Sequence, residues 1–225
     1  MGRSETATRF VKLYLAQRDS FETFASNFAA TIRSHGDIKP YIHSVKYRTK
    51  DPVHLRKKLL KKPAYLTGPK RITESTLFHR INDLVGVRIL HLNTRQFKDI
   101  DAGLRKMFDE WKYRVYARPF ARTWDDESRN YFKGLGIRIE KSPTMYTSVH
   151  YVIEPNKKFT CEIQVRTLME EVWGEVDHTL NYPKKTKSIA CGEQILALAR
   201  ATSSCTRLVD SIFASHSEHL KLQRG

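Results

Sequence analysis

The sequence predicts an α+β domain with a mixed or mostly antiparallel β-sheet and helices at both ends. Segments with helical apolar spacing bracket the chain, at residues 5–34 and 188–222. Between them, five stretches read as strands, interspersed with shorter helical stretches in no regular β-α alternation, which excludes a doubly wound fold. A chain of 225 residues is long enough for one well-filled domain with helical appendages.

Taken in order, 5–34 carries Phe10, Leu13, Phe21, Phe24 and Phe28 on one helical face, with a break expected near Asp19–Ser20. Gly36 and Pro40 end it. "YIHSVKYRTK" alternates as a strand, and "DPVHLRKKLLKK" reads as a short basic helix with Asp51 as N-cap and Pro52 at its first position. The continuous apolar run "DLVGVRILHL" is expected to be a buried central strand. Residues 95–111 form an amphipathic helix, followed by the strand "KYRVYARPF". "RTWDDESRNYFKGLGIRIEKSPT" is polar and contains glycine, which marks it, 122–136 included, as the candidate for a mobile loop. The strands "MYTSVHYVIE" and "FTCEIQVRT" follow, joined at "PNKK". The helix 167–181 then shows an apolar seam of Leu168, Val172, Val176 and Leu180, widened by Met169 and Trp173. The organisation expected is a helical segment at 1–38, a central domain at 39–184 and a helical segment at 185–225.

No apolar run approaches the roughly 20 residues of a spanning helix, and the N-terminus lacks the apolar core of a secretion signal. Cys161, Cys191 and Cys205 form no CxxC or zinc spacing, which fits free thiols in a cytoplasmic protein. The net charge is +16, and residues 39–71 hold eleven basic residues against a single acid, Asp51. A block of one sign calls for a polyanionic partner, nucleotide phosphates or nucleic acid. The Glu-x-x-His spacing of Glu175 and His178 lacks the second copy that a di-iron helix requires, and His216 with His219 reads as exposed tail.

Three strands carry polar residues where a covered sheet would not. Asp83 stands at the mouth of "LVGVRIL" and Arg88 lies within it. "MYTSVHYV" places Tyr146, Ser148 and His150 on one face, and "CEIQVRT" does the same for Glu162, Gln164 and Arg166. Burying such groups unpaired costs several kcal/mol apiece, so a ligand-binding face is the cheaper explanation. Two carboxylates from separate strands, Asp83 and Glu162, opposite a basic wall are what phosphoryl-type transfer needs to hold Mg²⁺ against phosphate oxygens.

Four pieces, "YRTKDPVHLRKK", "INDLVGVRI", "MYTSVHYV" and "CEIQVRTLMEEVWGEVDHTLNY", occur in the order seen in the synthetase domain of RelA/SpoT-type alarmone synthetases, which the chain resembles from about residue 40 to 184. The resemblance implies a nucleotidyltransferase-like fold and a Mg²⁺-dependent transfer of the β,γ-pyrophosphate of ATP to the 3′-hydroxyl of GDP or GTP. It implies that Arg48 and Arg88 sandwich the adenine of ATP, that Lys50 and Lys58 hold its phosphates with His54 alongside, and that Asp83 and Glu162 share the metal. Glu162 would also activate the acceptor hydroxyl, Tyr146 would stack on the acceptor base, and Ser148, His150, Gln164 and Glu171 would line the acceptor. His54 departs from the usual Ser, Glu171 from the usual Asn, and Thr144-Met145 from the usual Asn/Ser-Gly. No segment resembles the family's hydrolase domain, which implies a stand-alone small cytoplasmic synthetase, with a homo-oligomer possible through its terminal helices. Within the same donor chemistry, the acceptor is alternatively the 3′ end of tRNA or an adenosine nucleotide; a catalytically silent nucleotide- or RNA-binding module is the reading outside enzymes.

Overall fold

The computed structural model describes residues 2–69, 71–142, 144–182 and 184–223, so Lys70 of the basic block lies outside it. The elements, in order, are α1 (Arg3–Ser34), β1 (Ser44–Thr49), α2 (Pro52–Lys61), α3 (Leu77–Arg80), β2 (Val85–His91), α4 (Gln96–Glu110), β3 (Arg114–Thr123), α5 (Asp126–Gly134), β4 (Arg138–Lys141), β5 (Ser148–Asn156), β6 (Phe159–Thr167), α6 (Leu168–Asn181) and α7 (Ile189–Leu222), with two short 3-10 turns at Lys39–Tyr41 and Pro63–Tyr65.

The six strands form one mixed sheet in the order β1-β2-β6-β5-β3-β4. Pairs β2–β6 and β3–β4 are parallel; β1–β2, β6–β5 and β5–β3 are antiparallel. Alternation along each strand gives the sheet two unlike faces. One presents Val85, Val87, Ile89, Val149, Tyr151, Ile153, Cys161, Ile163 and Val165, and packs with α1, α2 and α4 into one apolar core. Residues of α1 as far apart as Phe10 and Ile32 belong to that core. Close approach needs glycine at one point: a Cβ on Gly103 of α4 would stand 2.6 Å from Ile38 Cγ1. The Tyr14 hydroxyl of α1 donates to the Lys50 carbonyl at 2.6 Å, tying that helix to the junction between β1 and α2.

Three expectations need correction. Helix α1 is unbroken, because Asp19 and Ser20 both face solvent and do not interrupt the apolar stripe continued by Phe21, Ala25 and Phe28. The segment at 122–136 is ordered structure and not a loop. Asp125 caps α5 by accepting from the Ser128 N–H at 2.9 Å, Phe132 packs edge-on to Phe97 at 5.1 Å, and the chain returns as β4. Helix α6 is rolled away from its apolar seam: Val172 and Leu180 are 50% and 44% exposed, while Glu170, Glu171 and Trp173 are buried. Its inward side meets the polar sheet face, and Trp173 packs with Ile195 and Ala199 of α7, donating its Nε1 hydrogen to the Ile195 carbonyl at 3.0 Å.

Candidate active site

The second sheet face is polar across its full width. Lys46, Arg88, Gln164, His150, Phe120 and Arg138 lie side by side in register across all six strands, and Arg48, Gly86 and Glu162 form a parallel row. Helix α6 closes over one end, leaving a cavity of about 560 Å³. Of the residues singled out from sequence, Arg48, Asp83, Arg88, Tyr146, Glu162, Gln164 and Arg166 line it.

Asp83 sits just before β2. Lys50 Nζ donates to its Oδ2 and Lys58 Nζ to its Oδ1, both at 2.7 Å. The basic helix makes this possible by burying Leu55 and Leu59 on its inner side, which leaves Lys58 on the flank facing Asp83. Burial pushes the Asp83 carboxyl up, but the two ammonium groups outweigh it and hold it at about 2.

Glu162 is held by its neighbours in the sheet. Oε1 accepts from His150 Nδ1 at 3.0 Å and Oε2 from Gln164 Nε2 at 3.0 Å. A carboxylate only accepts, so the imidazole proton lies on Nδ1. His150 Nε2 is buried and unpartnered among the described residues, and the ring lies parallel to Phe120 at 4.9 Å. Burial raises the Glu162 carboxyl and the nearby Asp83 charge adds to that, yet the His150 and Gln164 hydrogen bonds and the His150 charge bring it below the ordinary value. Two ionised carboxylates lining one cavity walled by cations are the hard oxygen donors that Mg²⁺ prefers, so the residues present fit that ion.

A second carboxylate centre occupies the α6 side. Glu171 accepts from Lys46 Nζ at 2.9 Å, from Arg88 Nη1 at 2.9 and 3.0 Å, and from Arg166 Nη2. Burial raises its carboxyl, and Arg166, Lys46 and Arg88 together bring it down to about 2. Glu175 Oε1 takes a further bond from Arg88 at 2.7 Å.

Other residues expected at the site stand beside or beneath the cavity. His150 lies under its floor. Ser148 is buried, with its hydroxyl on the Val165 carbonyl at 3.3 Å. His54 packs edge-on to Tyr182 at 4.6 Å, and Tyr182 in turn stacks on His178 at 4.8 Å. Lys46, Arg122, Gly174, Glu175 and His178 line the cavity without having been singled out as site residues. The signal for the α6 members was the helical spacing of 171, 174, 175 and 178, with a glycine in mid-helix, masked by the stronger apolar seam on the opposite side.

Comparison with known proteins agrees with this geometry. The family model described as the region found in RelA / SpoT proteins matches residues 47–187. No curated protein matches the sequence. Among solved structures, a GTP pyrophosphokinase family protein from Streptococcus pneumoniae is similar at 21% identity, covering 91% of this chain and 94% of that one with a TM-score of 0.68. The small alarmone synthetase 1 from Bacillus subtilis bound to its product pppGpp is similar at 21% identity, covering 94% and 96% with a TM-score of 0.56. The same protein bound to AMPCPP matches at 18% identity, covering 94% and 98% with a TM-score of 0.55. At these identities the likeness is one of fold.

Proposed function

Because the chain belongs to the RelA/SpoT family, we propose that it transfers the β,γ-pyrophosphate of ATP to the 3′-hydroxyl of GDP or GTP. The observation that carries this reading is the pair Asp83 and Glu162, two ionised carboxylates lining one cavity, one held by lysines and the other by a histidine and an amide. One solved neighbour, seen bound to pppGpp and to AMPCPP, supports nucleotide substrates of this kind.

In this reading Lys50 and Lys58 exchange Asp83 for donor phosphates, as flexible point charges allow. Arg48 and Arg88 offer flat guanidinium faces to the adenine, and Tyr146 offers a ring to the acceptor base. The acceptor 3′-oxygen forms a bond to the β-phosphorus, the bond from that phosphorus to the α-phosphate oxygen breaks, and AMP leaves. The hydroxyl proton passes to Glu162, whose carboxylate His150 and Gln164 hold in place. Asp83 and Glu162 would hold Mg²⁺, which would supply positive charge to stabilise the transferring group.

One observation favours a second acceptor. Arg122 and Arg138 stand 5.5 and 5.3 Å from the centre of the Phe120 ring, and Arg122 lines the cavity. Cations around a half-buried ring that lies against His150 are a binding surface for a further nucleotide, as the 3′ end of tRNA would need. Offering the protein γ-labelled ATP, Mg²⁺ and in turn GDP, GTP, ADP and deacylated tRNA tests both. Label on a guanosine nucleotide supports the first reading, label on tRNA or ADP alone replaces its acceptor, and no transfer to any of them contradicts the reaction.

A further inference from the structure

Glu171 lies between two groups that the proposed reaction uses for different substrates. On one side, Arg88 Nη1 reaches both Glu171 oxygens at 2.9 and 3.0 Å and Glu175 Oε1 at 2.7 Å. On the other, Arg166 Nη2 donates to Glu171 Oε2, and the Arg166 guanidinium carbon stands 5.4 Å from the centre of the Tyr146 ring. Lys46 adds a third cation at 2.9 Å. One carboxylate links the two sides: it offers about four lone-pair sites, and Arg88, Arg166 and Lys46 fill them. Whatever fixes Arg88 therefore also fixes Arg166.

Besides Glu171, Arg166 has a longer ion pair, from Nη2 to Glu175 Oε1 at 3.9 Å. Its side chain is 3% exposed and its Nε is buried without a partner among the described residues. Its other wall is Gly174 of α6, where a Cβ would stand 2.5 Å from Nη1 and 3.2 Å from Cζ. Glycine is a poor residue for a helix interior, and the space that it leaves open is the space in which the guanidinium lies. Glu171 and Gly174 together therefore set where Arg166 sits, and Arg166 backs the ring of Tyr146.

We propose that Glu171 couples the two nucleotide subsites, so that filling the donor side tightens binding on the acceptor side. The inference rests on the donor and acceptor assignments proposed above. A base stacked on Arg88 covers the flat face of the guanidinium, leaves its in-plane N–H groups on Glu171 and fixes them there. Glu171, held from that side, in turn fixes Arg166 and with it the Tyr146 platform before the acceptor arrives. Linkage makes the effect reciprocal. Glu171, which the resemblance places along the acceptor, is absent from the cavity lining, so it acts in this as a positioning residue through Arg88 and Arg166.

The test is calorimetric titration of the full chain with GDP in Mg²⁺, with and without saturating α,β-methylene-ATP, which binds without reacting. In the wild-type chain the analogue is expected to tighten GDP binding about 5-fold or more, and in Glu171→Gln the ratio of the two affinities is expected to fall to about 1. Gly174→Ala, which helix propensity favours, is expected to displace Arg166 and lose the coupling in the same way. A wild-type chain that binds both nucleotides without coupling overturns the proposal, as does coupling that survives in Glu171→Gln. If that variant does not fold, Gly174→Ala decides by the same criterion. A wild-type chain that binds neither nucleotide overturns the substrate reading as well, which separates the two failures.

Discussion

Asp83 lines the cavity and Glu171 is buried behind its lining; both carboxylates are ringed by cations and held at about 2, yet they are built for different work. Asp83 is bonded by two lysines, Lys50 and Lys58, on flexible four-carbon stems. Glu171 is bonded by two guanidiniums and one lysine, with Arg88 and Arg166 rising from the sheet floor. An ammonium is a point charge that moves easily from one oxygen to another, whereas a guanidinium is a planar fork that fixes geometry. The first centre is suited to exchanging partners when phosphates arrive, the second to holding the shape of the site.

The comparison is sharpened most by activity. Asp83→Ala is expected to lower pyrophosphoryl transfer by at least about 100-fold with the fold retained, read by single-turnover kinetics beside circular dichroism. Stability should show the opposite ranking. Glu171→Gln leaves a buried guanidinium short of its counter-charge and is expected to cost about 3 kcal/mol in urea unfolding at pH 7. Asp83→Asn, whose lysines can turn toward water, is expected to cost about 1 kcal/mol. Equal costs would break the contrast.

Acid titration separates both centres from their neighbour Glu170. Asp83 and Glu171 are lowered, so their stabilisation is complete above their ordinary values of 3.8 and 4.5 and is lost as the pH falls toward 2. Glu170 is the reverse: burial, with the Asp125 charge added, pushes it up to about 8, so its stabilising neutral form is lost as the pH rises from 4.5 through 8. Glu170→Gln is therefore expected to leave stability unchanged near pH 4.5 and to raise it at pH 8 by on the order of 3 kcal/mol. A smaller change is expected from Tyr146→Ala, which should raise the acceptor KM about tenfold while leaving ATP binding nearly unchanged. The reverse pattern would exchange the two subsites.

The same comparison explains what was legible in the sequence. Lys50 and Lys58 lie 33 and 25 residues from Asp83, within one basic segment and the strand mouth that follows, so the charge block and the acid at that mouth were readable together. The strand alternation that put Glu162 and Gln164 on one face also held, since a period of two is a local property. Glu171 meets Arg88 and Lys46 across 83 and 125 residues, and nothing local signals such a pairing. Helix α6 was misjudged for a related reason. Its apolar seam is real, but the surface it packs on is the polar floor of the cavity, so Val172 and Leu180 were left outside. At 122–136 the polar composition hid a capped helix whose buried contact, Phe132 on Phe97, is again long-range.

The most direct test of the central claim is single-turnover transfer by Glu162→Ala. Among the described residues the Glu162 carboxylate is hydrogen-bonded to His150 and Gln164, so removing it breaks no hydrogen bond of the lysine centre at Asp83 or the guanidinium centre at Glu171. The expected result is a folded protein that binds both nucleotides and transfers on the order of 10²–10⁴-fold more slowly. Transfer at the wild-type rate would contradict the assignment of this cavity as the place where the reaction occurs.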